Sequence, residues 1–114
     1  MSPQHMQQCI QECTACHQTC LAAIQHCLQK GGRHAGHTHI RLLADCAQIC
    51  TVSADFMLRG SDMHPRTCGV CALVCARCAE DCQRLAADDE HMRRCADVCR
   101  KCAELCRRMA EQAA

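Results

Sequence analysis

Cysteines recur along this chain at steps of three and four: 9, 13, 16, 20 and 27, then 68, 71, 75, 78 and 82, then 95, 99, 102 and 106. Cys46 and Cys50 complete the sixteen. The unit C-x3-C-x2-C-x3-C occurs in three separate stretches. Steps of three and four return a side chain to one face of a helix. Thiolates placed this way form a soft stripe whose chemistry is metal binding or redox exchange. Disulfides fit the spacing poorly. Residues four apart on a helix hold their Cβ atoms about 5–6 Å apart, whereas a disulfide needs about 3.5–4.5 Å. A bridging ion relaxes that limit, since two metal–sulfur bonds of about 2.3 Å span up to roughly 4.6 Å.

Softness and charge select the ion. Thiolate-only surroundings suit Cu(I), Zn(II) or iron–sulfur clusters. Zinc prefers closed sites of four thiolates, each leaving two negative charges in a buried core, which is costly. Copper(I) with bridging thiolates approaches neutrality and tolerates unequal numbers of cysteines on different helices. Iron–sulfur motifs are loop clusters ending in Cys-Pro, and no cysteine here precedes a proline. A thiol oxidoreductase places one CxxC at a helix N-terminus, so an enzyme is not expected. A zinc or general thiolate buffer and a copper chaperone are the alternatives to multi-ion Cu(I) binding.

Four helices must position these thiols. Lys30-Gly31-Gly32-Arg33, Arg59-Gly60-Ser61-Asp62 and Ala87-Asp88-Asp89-Glu90 break the chain into segments of about 3–29, 36–59, 63–86 and 89–112. Gly60 suits a helix C-terminus, Ser61 or Asp62 the next N-cap, and the acidic run the start of the last helix. Pro3 and Pro65 fall in first turns, where a missing N–H costs little. Short connections make sequential helices antiparallel neighbours, so the expected fold is an all-α, up-down-up-down four-helix bundle with a cysteine-lined core. It is read as one domain, 1–114. The second segment continues the seam through His39, Leu43, Cys46, Cys50, Ser53 and Met57. Outside the seam, Glu90/Arg94, Asp97/Lys101 and Glu104/Arg108 are expected i,i+4 pairs, and His17 an ordinary surface histidine.

Composition agrees with this plan. Among 114 residues there is one Phe and no Trp or Tyr, so cysteine replaces the usual large core side chains. A net charge of +1 suggests neither nucleic acid nor disorder. No basic start with an apolar run opens the sequence, and no stretch has the length to span a membrane. The expected location is the reducing cytoplasm, where abundant cysteine points to metal or redox work.

The stretch Cys68-Gly69-Val70-Cys71-Ala72-Leu73-Val74-Cys75-Ala76-Arg77-Cys78-Ala79-Glu80-Asp81-Cys82 resembles the signature of the four-helix-bundle copper storage proteins. Cys95-Ala96-Asp97-Val98-Cys99-Arg100-Lys101-Cys102-Ala103-Glu104-Leu105-Cys106 is similar to their last helix, and Ile40-Arg41-Leu42 to the start of their second. The resemblance implies reversible storage of many Cu(I) ions and, from its cytosolic branch, a homotetramer. It departs at Ala23 and His39, seam positions where some relatives carry cysteine. The metal ligands expected are Cys9, Cys13, Cys16, Cys20, Cys27, Cys46, Cys50, Cys68, Cys71, Cys75, Cys78, Cys82, Cys95, Cys99, Cys102 and Cys106, with His39 and His91.

The topology sorts the remaining soft donors to two ends. One pole holds His26, Cys27, His34, His37, His39, His91 and Met92; the other holds His5, Met6, Met57, Met63, His64 and Met109. Copper is expected to enter at the histidine pole, passing to Cys27 and then Cys46. Met57 and Met109 are expected to plug the other end; the alternative is that methionine thioethers form the gate and the histidines are solvated loop residues. Outward Leu21, Leu28 and Leu73 suggest a subunit contact.

Overall fold

The computed structural model describes residues 3–111. Four helices follow in order: α1 (Pro3–Lys30), α2 (His37–Leu58), α3 (His64–Arg84) and α4 (Glu90–Glu111), with a 3-10 turn at Gly32–Ala35 between the first two. Each helix packs against its chain neighbours, and α1 closes the ring against α4. Pairs such as Cys16 with Cys46 and Cys27 with His39 run in opposite senses along α1 and α2. The same holds for α1 with α4 and for α2 with α3. The result is the antiparallel bundle expected from the seam, 43 Å long and 19 Å across. Position 112, expected to end the fourth segment, lies outside the described residues.

The connections obey local chemistry. Gly60 has φ 67°, and it closes α2 by a paired motif in which Gly60 N–H reaches Met57 O and Ser61 N–H reaches Phe56 O. An L-residue with a side chain would be strained there. Ser61 does not cap α3, contrary to expectation. Its Oγ accepts the N–H of Met63, one residue ahead of the helix, and Pro65 in the first turn removes one donor that would need a cap. Asp89 does cap α4, its Oδ1 accepting the N–H of Met92 at 3.0 Å. Helix α3 ends two residues before the expected 86. Leu85 and Ala86 N–H groups turn back to Cys82 and Gln83 carbonyls, which tucks both side chains into the core.

All sixteen cysteines are wholly buried. They share the interior with Leu43, Met57, Met92, Met109 and small alanines. Neutral thiols pack there as modest hydrophobes. Two of the three expected surface pairs shift by one position. Glu90 bonds Arg93 and Asp97 bonds Arg100, both i,i+3, while Lys101 reaches Glu12 on α1. Arginine stands at i+3 in both cases, and at Asp97 its planar fork matches the carboxylate better than the lysine at i+4. Glu104 with Arg108 pairs as expected. His17 is not a free surface group: its Nδ1 lies 3.0 Å from Ala47 O and 2.8 Å from Thr51 Oγ1, tying α1 to α2. No helix among the described residues is long and apolar enough to cross a membrane.

Candidate metal centre

The thiols form a continuous ladder down the bundle axis. Cys20 lies 4.0 Å from Cys95 and 3.7 Å from Cys99. One level further, Cys16, Cys46, Cys75 and Cys99 meet at 3.5–3.9 Å. Next come Cys50, Cys71, Cys75 and Cys102 at 3.7–3.8 Å, with Cys13 joining Cys102 and Cys106. Cys9 and Cys106, 3.6 Å apart, close the far end with Cys68, whose sulfur lies 3.2 Å from the buried Ser53 hydroxyl. These separations exceed the roughly 2.05 Å of a disulfide, and every cysteine is free. They fall within the roughly 4.6 Å that one bridging ion spans.

Four quartets have all sulfurs within 4.8 Å of one another: Cys13-Cys71-Cys102-Cys106, Cys16-Cys46-Cys50-Cys75, Cys16-Cys20-Cys46-Cys99 and Cys50-Cys71-Cys75-Cys102. They overlap. Cys16 and Cys46 belong to two, as do Cys50 and Cys75, and Cys71 and Cys102. At most two quartets can be filled without sharing a sulfur, for example Cys16-Cys20-Cys46-Cys99 with Cys50-Cys71-Cys75-Cys102. Separate closed tetrahedra are therefore not what the backbone builds. Shared thiolates are.

Proton chemistry follows from the same crowding. Neighbouring thiols, Cys102 foremost, pull Cys13 and Cys16 down, and Cys102 donates its S–H to Cys13 at 3.7 Å. Cys50 and Cys106 are pushed up, again chiefly by Cys102. Thus one thiolate is tolerated where its neighbours stay protonated. Further protons leave as incoming cations supply the compensating charge.

Cys27 stands apart. Its sulfur is 3.3 Å from His39 Nε2, 3.8 Å from Met92 Sδ and 3.9 Å from His34 Nδ1. Burial, then the negative charge of Asp89, pushes its thiol up to about 11. Cys95 is the thiol whose charge reaches it. Cys46, expected to receive ions from Cys27, instead faces Cys16, Cys75 and Cys99 deeper in the bundle. The structure places His39 inside the core but His91 outside it. His91 is exposed and stacks on His26, with ring centroids 4.1 Å apart. His26 also meets His34 edge-on at 6.4 Å. At the opposite pole Met57 and Met109 are buried, while Met63 is half exposed.

Sequence reasoning missed two buried carboxylates at the histidine pole. Asp81 accepts from His39 Nδ1 at 2.5 Å and from Arg84. Its carboxyl is held low by these partners, which outweigh the opposing burial. Asp89 gathers Lys30 Nζ at 2.7 Å and His26 Nε2 at 2.9 Å, with His34 Nδ1 at 3.7 Å. These partners hold it well below the usual carboxylate range although burial opposes them. In the sequence Asp81 looks like an ordinary member of a charged face and Asp89 like a helix cap alone.

A helical bundle whose interior is a ladder of shared thiols defines a container for soft metal ions. The chain belongs to the copper storage protein family, whose model matches residues 2–111. A protein of Nitrosospira multiformis has 45% identity and a TM-score of 0.91, over 97% of this chain and 99% of that one. The Cu(I)-bound copper storage protein BsCsp3 has 33% identity and a TM-score of 0.86, over 93% and 98%; the apo Csp3 structure is from Bacillus subtilis. A cytosolic copper storage protein from Streptomyces lividans, loaded with five coppers, has 33% identity and a TM-score of 0.82, over 95% and 93%. Among curated protein sequences no significant match is found.

Proposed function

We propose that this chain stores many Cu(I) ions on its sixteen core thiolates, as one unit spanning residues 1–114. The observation that carries the reading is the sharing of Cys16, Cys46, Cys50, Cys71, Cys75 and Cys102 between adjacent quartets. Shared thiolates suit a cation of single charge in low coordination, because charge then balances close to one ion per sulfur. Closed four-thiolate zinc sites would need exclusive quartets. The chain acts by binding rather than by catalysis, in the cytoplasm, the setting described for the Streptomyces lividans relative. Anaerobic titration of the reduced apoprotein with Cu(I) against a competing chelator tests the reading. We expect more than about eight ions per chain. Saturation at about four ions, with zinc winning in competition, would overturn it.

Ions enter at the pole of His39 and His91. Supporting this are the imidazoles of His26, His34 and His91 clustered there, and Cys27 immediately beneath. Buried Met57 and Met109 fill the other end. Uptake and removal rates in His39→Ala/His91→Ala should fall relative to those in Met57→Leu/Met109→Leu. Slowing confined to the methionine variant would reverse the direction. The assembly is a homotetramer. Leu21 and Leu28 on α1 are about half exposed, as are Val70 and Leu73 on α3. These two helices lie diagonally across the bundle, so each chain offers two separate apolar faces to its copies.

A further inference from the structure

The buried carboxylate on α3 has no role in a purely thiolate store. Asp81 lies between Cys78 and Cys82 and is 6% exposed. A buried carboxylate is costly unless it is paired and hydrogen-bonded. Its partners are His39 Nδ1 from α2 at 2.5 Å and the Arg84 guanidinium one turn along α3. An ionised carboxylate only accepts, so the His39 Nδ1 must carry the hydrogen. In the neutral ring the other nitrogen, Nε2, is then a bare lone pair. That lone pair is 3.3 Å from Cys27 Sγ, and Met92 Sδ lies 3.8 Å from the same sulfur on its α4 side. His39 is 4% exposed, and Cys27 and Met92 are wholly buried.

Resting on the storage reading, we propose that Asp81 is a positioning residue that fixes the His39 tautomer, so that Nε2, Cys27 Sγ and Met92 Sδ form a mixed-donor Cu(I) site distinct from the thiolate ladder. A carboxylate behind a ligating imidazole orients the ring and raises its basicity. The three donors come from α1, α2 and α4, and the orienting group from α3, so all four helices converge on one ion. One thiolate with one Cu(I) is neutral, and the imidazole and thioether add no charge. An ion here exchanges differently from one bridged between thiolates, because two of its three ligands are neutral and compete weakly with solvent donors.

Nitrogen-15 NMR of histidine-labelled, reduced, full-length protein reads the site directly. In the apoprotein His39 should show a protonated Nδ1 and an unprotonated Nε2. Saturation with Cu(I) should move the Nε2 resonance to a metal-bound position. Asp81→Asn should convert His39 to a mixture of tautomers. It should also loosen the most weakly held ion by about 10- to 100-fold against a chelator, leaving the thiolate-held ions unchanged. Cys27→Ser, which keeps the Asp81–His39 pair, should abolish the copper-dependent Nε2 shift. An Nε2 that keeps its free position while the thiols load would overturn the site and leave storage standing. A protein whose thiols take up no copper would remove the storage reading first. Equal loosening of every ion by Asp81→Asn would mean that Asp81 merely holds the bundle together, and it too would overturn the proposal.

Discussion

Replacing Asp89 should damage the bundle in a way that separates its cap from its charge. The side chain is nearly inaccessible, with Oδ1 on Met92 N–H and Oδ2 on His26 and Lys30. Asp89→Ala removes the N-cap, worth about 1 kcal/mol. The lost cap is the acceptor of the buried Met92 N–H, which places the cost toward the upper end of the cap range, about 1–2 kcal/mol in all. Lys30 is open to solvent, so its ion pair adds little to this sum. The total of about 1–2 kcal/mol lowers the midpoint of a bundle this size by about 5–15 °C. Asp89→Asn keeps an acceptor for Met92 and loses mainly the charge at the helix N-terminus, so it should cost about 1 kcal/mol or less. Thermal unfolding of the reduced apoprotein by circular dichroism measures both. The pH dependence supplies the sign. The carboxyl is depressed in the folded state, so its contribution is fully present above the unfolded value of about 3.9 and is lost as pH falls below it. The gap between the native chain and Asp89→Ala should be constant from about pH 7 to 5 and narrow below about pH 4. An Asp89→Asn variant as unstable as Asp89→Ala, or a gap unchanged down to about pH 2, would refute this division.

Alkaline pH should work in the opposite direction on the thiols. Unfolded cysteine ionises near 8.5, but burial holds Cys27 protonated up to about 11. The apoprotein should therefore lose stability as pH rises between these values, by about 1.4 kcal/mol per unit for this thiol. Urea denaturation across that range should show a shallower decline in Cys27→Ser. Ala23→Cys should restore a thiol between Cys20 and Cys27, at a buried seam position, and raise copper capacity by about one ion without changing the helix content. A titration end point that does not move would mean that the added sulfur does not reach the ladder.

Where periodicity governs, the sequence was a sufficient guide. The three-four spacing put all sixteen cysteines inside and set the register of α1, α3 and α4. Gly60 and Asp89 marked helix ends because their conformational and capping chemistry is local. What escaped depended on contacts between helices. Asp81 follows Glu80 in an apparently solvated face, and only the position of His39 on α2 turns it inward. Nothing local distinguishes Asp89 as the hub for Lys30 and His26, 59 and 63 residues away in the chain. The i,i+4 rule misjudged Glu90 and Asp97, since an arginine at i+3 competes for the same carboxylate. His91 illustrates the limit of assigning residues to an end of the bundle. The topology brings it to the expected pole, but its ring lies against His26 rather than over the thiols.

The overlap of neighbouring quartets also sets an order of events. Adjacent sulfurs stand 3.5–4.0 Å apart from Cys95 through to Cys9, so an ion can change one ligand at a time without ever being released. If ions enter only at the proposed His39 pole, such a ladder would behave as a last-in, first-out stack. The earliest ions would then settle around Cys9, Cys68 and Cys106, and the latest would occupy the levels near Cys27. Withdrawal would then begin with a small, quickly exchanging fraction and slow as deeper rungs are reached. Two cells holding the same total copper could thus differ in how much of it is ready to leave.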